Sequence, residues 1–555
     1  MYFCGMDKKR IIAAVFAVLA FCFWAFMRPE WLSYHEQYQM FLFSFDYLKE
    51  HLLLPGGFAV WTAEFLVQFF YNTFSGAAVV AGVLTGIFLL LKNNENQFAA
   101  LLPSVLIWVY SGDESMMFTF PVAVLLSLAA TKINTDKIPW IQFLIIPLIY
   151  WLIGYCVWIY VLLRARNVFK ILTLVFFQFF VAYVTTRNYP LIDIFCGIDY
   201  YRVRMEIPVW QHLTAVSCVL AAFVKIPEKK WLFYTQCAAI LSVLVFGVIK
   251  KYDNLRYDYI KVDYFSRFGK WESLLKFAEK NNLKSDFAST GINLALAMTN
   301  QMPDRVFEFS QSGNNGLISK FDYTCFSCGP TAEACYYLGL NNSVLRYNFD
   351  MQSGILNCKN SGRFFKRIAG AYILNRRYDV AQRYLNKLKK TLFYRSWALQ
   401  AEDCLYDEEK IRQNPEWAGI LSQRFENGLN FSNSDLDKML ICLFENRPIN
   451  RMALNYALCS TLINRNLGAF VKYFPLYTKH FGTAEIPEIY QQAFLYACFQ
   501  GGYAFENMPK FISEKVKDDF REFDRAYLIN PKSKVFTTGK FSKSFWKYFL
   551  FDTRQ

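Results

Sequence analysis

Residues 231–250, WLFYTQCAAILSVLVFGVIK, run directly into residues 251–270, KYDNLRYDYIKVDYFSRFGK. No charge interrupts the first stretch from Trp231 to Ile249, whereas the second carries a charged residue every two or three positions. This junction divides the chain. Upstream, from Arg10 to Lys250, apolar segments rich in Leu, Ile, Val, Phe and Trp follow one another; downstream, from Tyr252 to Gln555, charged and helix-periodic sequence takes over. A bilayer forces each spanning backbone group into internal hydrogen bonds, so the upstream part reads as a helical bundle. The expected class is therefore all-α. A polytopic transmembrane helical bundle occupies 1–251 with an interfacial loop at 28–74, and a helical-repeat, tetratricopeptide-like extracytoplasmic domain occupies 252–555.

The chain has 555 residues, 54% of them hydrophobic, which is enough for two core-forming units. Its net charge of +15 is spread through inter-span loops and along the downstream helices, with no Gly-Arg tract, zinc-finger spacing or Lys-rich tail. That distribution argues against nucleic acid as a partner and for the lipid bilayer, with its anionic headgroups, or an anionic lipid-linked substrate. At the N-terminus, Lys8, Lys9 and Arg10 precede an apolar run from Ile11 to Met27, and Arg28-Pro29-Glu30-Trp31 supplies no small-residue cleavage site. The run reads as an uncleaved first span with its N-terminus in the cytoplasm.

About nine spans are expected: Ile11–Met27, Ser75–Leu91, Phe98–Tyr110, Met116–Thr131, Trp140–Gly154, Tyr155–Leu163, Val168–Thr186, Val209–Val224 and Trp231–Ile249. The decisive question is whether Trp140 to Leu163 is one span or a tight pair turning at Gly154. With a pair, Lys92, Lys132, Lys137, Arg164, Arg166, Lys170, Lys225, Lys229 and Lys230 share the cytoplasmic side, while Arg28, Arg187, Arg202 and Arg204 lie outside. With one span that bias largely disappears. The positive-inside rule thus favours the pair, an extracytoplasmic downstream domain and the cytoplasmic (inner) membrane of a bacterium.

Downstream, helix-turn-helix units are clearest at Phe364–Leu374 and Tyr378–Leu388, joined by Asn375-Arg376-Arg377. Similar pairs are Trp271–Ala278 with Phe287–Met298, Ala332–Leu338 with Val344–Met351, and Ala453–Ile463 with Leu467–Phe474. The segment 371–381 looks like a degenerate tetratricopeptide unit of irregular period. Stacked pairs of this kind make concave surfaces for a protein or glycan partner.

Between the first two spans, Trp31-Leu32-Ser33-Tyr34-His35-Glu36-Gln37-Tyr38 leads through Phe45-Asp46-Tyr47-Leu48-Lys49-Glu50 to Pro55-Gly56-Gly57 and the apolar run Val60 to Phe74. Its mix of aromatics and charges suits interfacial helices, with Glu36 just above the end of the first span. A carboxylate there fits a general base, or an acceptor-orienting group with His35 beside it, where a lipid-linked donor presents its leaving phosphate. Asp113-Glu114 falls on the same expected face, with the chemistry to assist, to bind a divalent cation or to hold sugar hydroxyls. The loop from Arg187 to Pro208 adds Asp193, Asp199, Arg202, Arg204 and Glu206, and its three arginines suit the clamping of a phosphate. Equally, short loops are polar simply because they meet water.

The order of a first span, a following acidic residue, amphipathic stretches, an aromatic run closing in Phe74-Ser75-Gly76 and an acidic loop at Asp113-Glu114 resembles the GT-C class of integral-membrane glycosyltransferases over about the first 130 residues. The resemblance implies sugar transfer from a polyprenyl-phosphate carrier at the outer face, with Glu36 in the place of the catalytic acid and Asp113 or Glu114 as the second. His35-Glu36 and Pro55-Gly56-Gly57 depart from that class's usual motifs. The whole chain, through Pro55-Gly56-Gly57 and Lys390-Thr391-Leu392-Phe393-Tyr394, resembles an uncharacterised bacterial family of polytopic envelope proteins with helical C-terminal domains, which implies no activity.

Fourteen cysteines include one tight group, Cys325-Phe-Ser-Cys328, followed by Cys335 and Cys358; zinc, a disulfide and plain helix-core thiols all fit. The four histidines His35, His51, His212 and His480 are too scattered for a histidine metal site. Phosphate-binding Gly-Lys-Ser/Thr loops, dinucleotide turns, nucleophile elbows and HExxH are missing, which removes ATP-driven transport, oxidoreduction and metalloproteolysis. Two functions remain: the transferase, and a non-catalytic membrane-anchored scaffold whose helical repeats recruit a partner.

Overall fold

The computed structural model describes residues 8–91, 97–133, 139–165, 167–185, 190–197, 199–200, 209–223, 230–320, 325–356, 359–425, 432 and 434–551. Among them the secondary structure is helical, with a single isolated bridge at Ser312 and Asn314 as the only β pairing. The chain folds into two units. The first takes 1–257 together with two short returns, 355–363 and 386–398; the second takes 258–354, 364–385 and 399–555.

The first unit starts with α1 (Lys8–Cys22), whose last turns widen over Phe23–Met27, and α2 (Pro29–Glu36). Then come α3 (Phe45–Leu52), α4 (Gly57–Val67), α5 (Thr73–Leu91), α6 (Gln97–Tyr110), α7 (Thr119–Ala130) and α8 (Gln142–Ile153). The remainder are α9 (Val157–Tyr160), α10 (Val168–Thr185), α11 (Leu191–Cys196), α12 (Val209–Phe223) and α13 (Lys230–Lys251). Among the described residues, four stretches are long and apolar enough to cross a membrane by length and composition: Arg10–Met27, Thr73–Leu91, Gln142–Arg164 and Tyr234–Lys251. Shorter apolar helices cover Phe98–Tyr110, Thr119–Ala130, Val168–Val184 and Val209–Phe223. α5 has 19 residues without a charge, which at 1.5 Å per residue is about 28 Å, close to the hydrocarbon thickness of a bilayer.

Although Gln142–Arg164 is long enough for one span, the chain doubles back inside it. Lys170 Nζ donates to Gln142 Oε1 at 2.5 Å, and one turn-pair further on the Phe177 and Tyr150 rings lie 6.0 Å apart. α8 and α10 therefore run side by side in the same direction, so the intervening segment must run the opposite way. The bend is Gly154, at φ +78° and ψ −144°, a backbone region that side-chain-bearing residues avoid. Arg164 Nε closes the return by donating to the Thr131 carbonyl at the end of α7, at 2.8 Å.

Beyond Tyr257 the four helix pairs drawn from sequence coincide with helices at Trp271–Asn281 and Asp286–Met298, Cys325–Tyr337 and Asn341–Ser353, Gly362–Leu374 and Tyr378–Leu388, and Arg451–Ile463 and Leu467–Phe481. One turn geometry recurs. Gly269, Asn300, Gly339, Arg376, Arg465 and Gly502 all have positive φ just past a helix end. At each, the N–H bonds back three residues and the next N–H bonds back five, as in Arg376 N to Ile373 O and Arg377 N to Tyr372 O. This is the left-handed helix cap that satisfies orphan carbonyls and reverses the chain. Two of the six positions are arginines, so glycine spacing alone does not reveal them. Cys328 and Cys335 are buried in the helix cores, while the Cys325 side chain and Cys358 lie outside the described residues.

Candidate functional site

Pro55-Gly56-Gly57 forms the tight connection between α3 and α4. Gly56 takes φ +78°, its N–H donates to the Trp151 carbonyl at 2.7 Å, and Trp151 Nε1 donates back to the Leu52 carbonyl at 2.9 Å. A Cβ on Gly57 would lie 1.7 Å from the His51 carbonyl oxygen, so only glycine lets the start of α4 approach the end of α3. Ser44 caps α3 by accepting from the Tyr47 N–H at 3.3 Å. Tyr47 and His51, one turn apart on α3, then face Glu64 on α4.

Glu64 is 1% exposed and collects three partners. Lys359 Nζ lies 2.5 Å from Oε1, His51 Nε2 lies 3.0 Å from Oε2, and the Tyr47 hydroxyl donates to Oε2. His51 Nδ1 also faces the Tyr47 carbonyl at 2.8 Å. With an acceptor opposite each ring nitrogen, the ring is complete only as an imidazolium. Burial opposes that charge, but the hydrogen bond to Glu64 and the Glu64 charge outweigh it and raise the His51 pKa. For Glu64, burial pushes upward, whereas the Lys359 charge and the hydrogen bond and charge of His51 pull it down to about 2. Burial first and the Glu64 charge second hold the Tyr47 phenol well above its ordinary value, so it remains a donor.

This cluster lines a cavity of about 390 Å³, whose wall also carries Glu50, Asp199 and Lys387. Asp199 sits at φ +60°, and among the described residues its carboxylate makes no hydrogen bond or ion pair. Two extended backbone contacts frame the cavity: Met40 N–H donates to the Asn360 carbonyl at 3.1 Å, and Phe43 N–H to the Lys390 carbonyl at 2.7 Å. Both returning segments of the first unit are thus fastened to the stretch between α2 and α3.

The residues singled out from sequence are engaged in several separate arrangements. Glu36, 5% exposed at the end of α2, accepts from the Tyr394 hydroxyl at 2.9 Å, and the neighbouring Gln37 accepts from Arg363 at 2.7 Å. His35 is fully buried with its ring 3.9 Å from that of Trp31. Asp113 accepts from the Ser115 N–H at 3.0 Å and pairs with Lys251 at 3.9 Å, and Glu114 pairs with Arg256. These last contacts tie the loop between α6 and α7 to the end of α13 and the chain just after it. They involve partly exposed cations, so Asp113→Asn and Glu114→Gln should each change stability by no more than about 1 kcal/mol in a thermal melt. Arg187, Arg202 and Arg204 lie outside the described residues. Among the described residues no group of three or more His, Cys, Asp or Glu side chains is arranged to hold a metal ion.

Sequence reading passed over Glu64, Tyr47, His51 and Lys359. A signal was present for the first: Glu64 is the one charge in the apolar run from Val60 to Phe74, and an isolated charge among apolar residues requires a partner. Lys359, almost 300 residues away, carries no comparable mark. The chain belongs to a family of unknown function, DUF6057, whose sequence model matches residues 7–552. No curated protein and no solved structure matches it.

Proposed function

We propose, taking membership of a family without an assigned activity as the premise, that the chain is a GT-C-like transferase of the cell envelope that moves a sugar from a polyprenyl-phosphate donor. The supporting observation is the cavity beside Glu64, in which the unpaired Asp199 carboxylate shares one wall with Lys387, Lys359 and His51. In this reading Asp199 removes the proton of the acceptor hydroxyl as its oxygen attacks the sugar's anomeric carbon. The bond from that carbon to the phosphate oxygen breaks, and the phosphate leaves with the electron pair, stabilised by the lysines and the imidazolium. Glu36, tied to Tyr394, is assigned the task of holding the returning segment 386–398 rather than touching substrate.

The reversal at Gly154 supports nine crossings, the bacterial cytoplasmic membrane as the location and an outward-facing downstream domain. The recurrent helix pairs support the tetratricopeptide-like reading. They also favour a second reading, a membrane-anchored scaffold that recruits a protein or glycan partner.

The test uses the full chain in lipid nanodiscs with polyprenyl-phosphoglucose and polyprenyl-phosphomannose, following release of polyprenyl phosphate. Asp199→Asn should lower turnover by about a hundredfold or more with an unchanged melting temperature. Lys387→Ala should weaken donor binding about tenfold, as loss of one charge-assisted contact would. Turnover that survives Asp199→Asn but is lost in Glu36→Gln refutes this assignment of the base. No release from either donor refutes the transferase and leaves the scaffold.

A further inference from the structure

In the second unit, the loop Ser310-Gln311-Ser312-Gly313-Asn314-Asn315-Gly316 is pinned from behind by buried polar side chains. On the helix Asp286–Met298, Ser289 Oγ donates to the Ser310 carbonyl at 2.9 Å and Thr290 Oγ1 to the Asn315 carbonyl at 3.2 Å. Asn293 Nδ2 donates to the Gly316 carbonyl at 2.8 Å and to Gln311 Oε1 at 2.9 Å. Gln311 Nε2 continues to the Val306 carbonyl at 2.7 Å, and Ser460 Oγ lies 2.8 Å from Asn314 Oδ1. Ser289, Thr290, Asn293 and Ser460 are at most 1% exposed.

A fully satisfied buried polar network contributes less stability than apolar packing, and what it does supply is positional definition. Here the element so defined is a loop whose front faces a cavity of about 550 Å³. The cavity wall presents Ser312 and Asn315 from the loop, Lys284 and Asp286 from the adjacent helix start, and Asn464 and Arg465 from one of the left-handed turns. Among the described residues its only apolar side chains are Ile463 and Tyr548, and the Tyr548 ring is already stacked on Phe307 at 4.4 Å.

We propose that this cavity is a binding site for an oligosaccharide, neutral or carrying a single acidic group. Amides, hydroxyls, one carboxylate, one ammonium and a guanidinium on a rigid frame match the alternating donors and acceptors of sugar hydroxyls. A peptide partner would ask for apolar side-chain pockets or an open strand edge, and this wall has neither. A phosphate-rich ligand would ask for clustered cations without the opposing Asp286. The proposal stands independently of the transferase reading, because it concerns only residues of the second unit.

The test is saturation-transfer NMR on the full chain in lipid nanodiscs, since a maltoside detergent would itself present a sugar. The probes are chitotetraose, maltotetraose, mannotetraose and sialyllactose, which carries one carboxylate, with a Ser/Asn-rich hexapeptide as the competing class. At least one sugar should give a saturable signal, with its Kd raised about tenfold by Ser312→Trp, which fills the cavity, and severalfold by Asp286→Asn. Asp286 is exposed, so its variant keeps the fold even where the tryptophan does not. No saturable signal from any of the four sugars, binding of the peptide alone, or sugar binding unchanged in both variants overturns the proposal.

Discussion

Glu64→Leu is expected to destabilise the first unit by about 3–5 kcal/mol, the loss seen when one member of a buried ion pair is removed. The cost comes less from the lost attraction than from what stays behind. Lys359 Nζ, with its side chain 9% exposed, would keep its charge without the Glu64 carboxylate 2.5 Å away, and His51 would lose the acceptor opposite Nε2. Pairing Glu64→Leu with Lys359→Met should recover most of the loss, because an apolar pair of similar volume needs no desolvation of charge. Thermal melts of the two single variants and the double variant close that cycle; a loss in the double equal to the sum of the two single losses would mean that the carboxylate and ammonium do not interact.

The same cluster gives stability a definite pH dependence. His51 has a folded pKa above its ordinary 6.5, so its contribution is complete below pH 6.5 and disappears as pH rises through the folded value. Glu64 acts at the other end: its contribution is complete above its ordinary 4.5 and is lost only as pH falls toward about 2. A melting temperature that declines on the alkaline side of 6.5 in the parent, and is flat there in His51→Gln, is the expected pattern.

Gly57→Ala is the second change with a large expected effect, about 3 kcal/mol or failure to fold. The added methyl would overlap the His51 carbonyl oxygen, a backbone atom at the end of a helix and not the tip of a yielding side chain. Relief requires the end of α3 to move away from α4, and that movement pulls His51 from Glu64 and opens the cavity wall. Gly82→Ala is the control: nothing lies within 4 Å of its added Cβ, and on α5 the substitution should be neutral or stabilising by up to about 1 kcal/mol. Purification yield and melting temperature of the two variants separate the steric account from a general intolerance of alanine.

The helical class, the apolar segments and the helix pairs were legible because they rest on local periodicity and composition. The bend at Gly154 was legible too, since glycine in an apolar run combined with the loop charges to argue for it. The cavity was not. Its parts are a tyrosine and a histidine on α3, a glutamate on α4, an aspartate near 200 and lysines at 359 and 387, and no periodicity links residues brought together by chain returns of such length. Glu36 was legible as an acid just after a span, but its contact with the Tyr394 hydroxyl, 358 residues away, was not. Lys390-Thr391-Leu392-Phe393-Tyr394 was noticed only as a family mark, yet Phe393 stacks on Tyr71 at 5.2 Å and Tyr394 meets the same ring edge-on at 5.4 Å.

The non-contiguous make-up of the first unit has a consequence for biosynthesis. When the ribosome has delivered Tyr257, α1 to α13 exist, but Lys359, Arg363 and Tyr394 have not yet been made. Until they emerge, Glu64, Gln37 and Glu36 lack these native partners, so the early-made helices wait in an incomplete state for about 140 further residues, roughly ten seconds or more at ordinary translation speeds. Release of a shortened chain at that stage would leave Glu64 without Lys359 and Glu36 without Tyr394. The cavity itself is complete only once Lys359, Asn360 and Lys387 have been made.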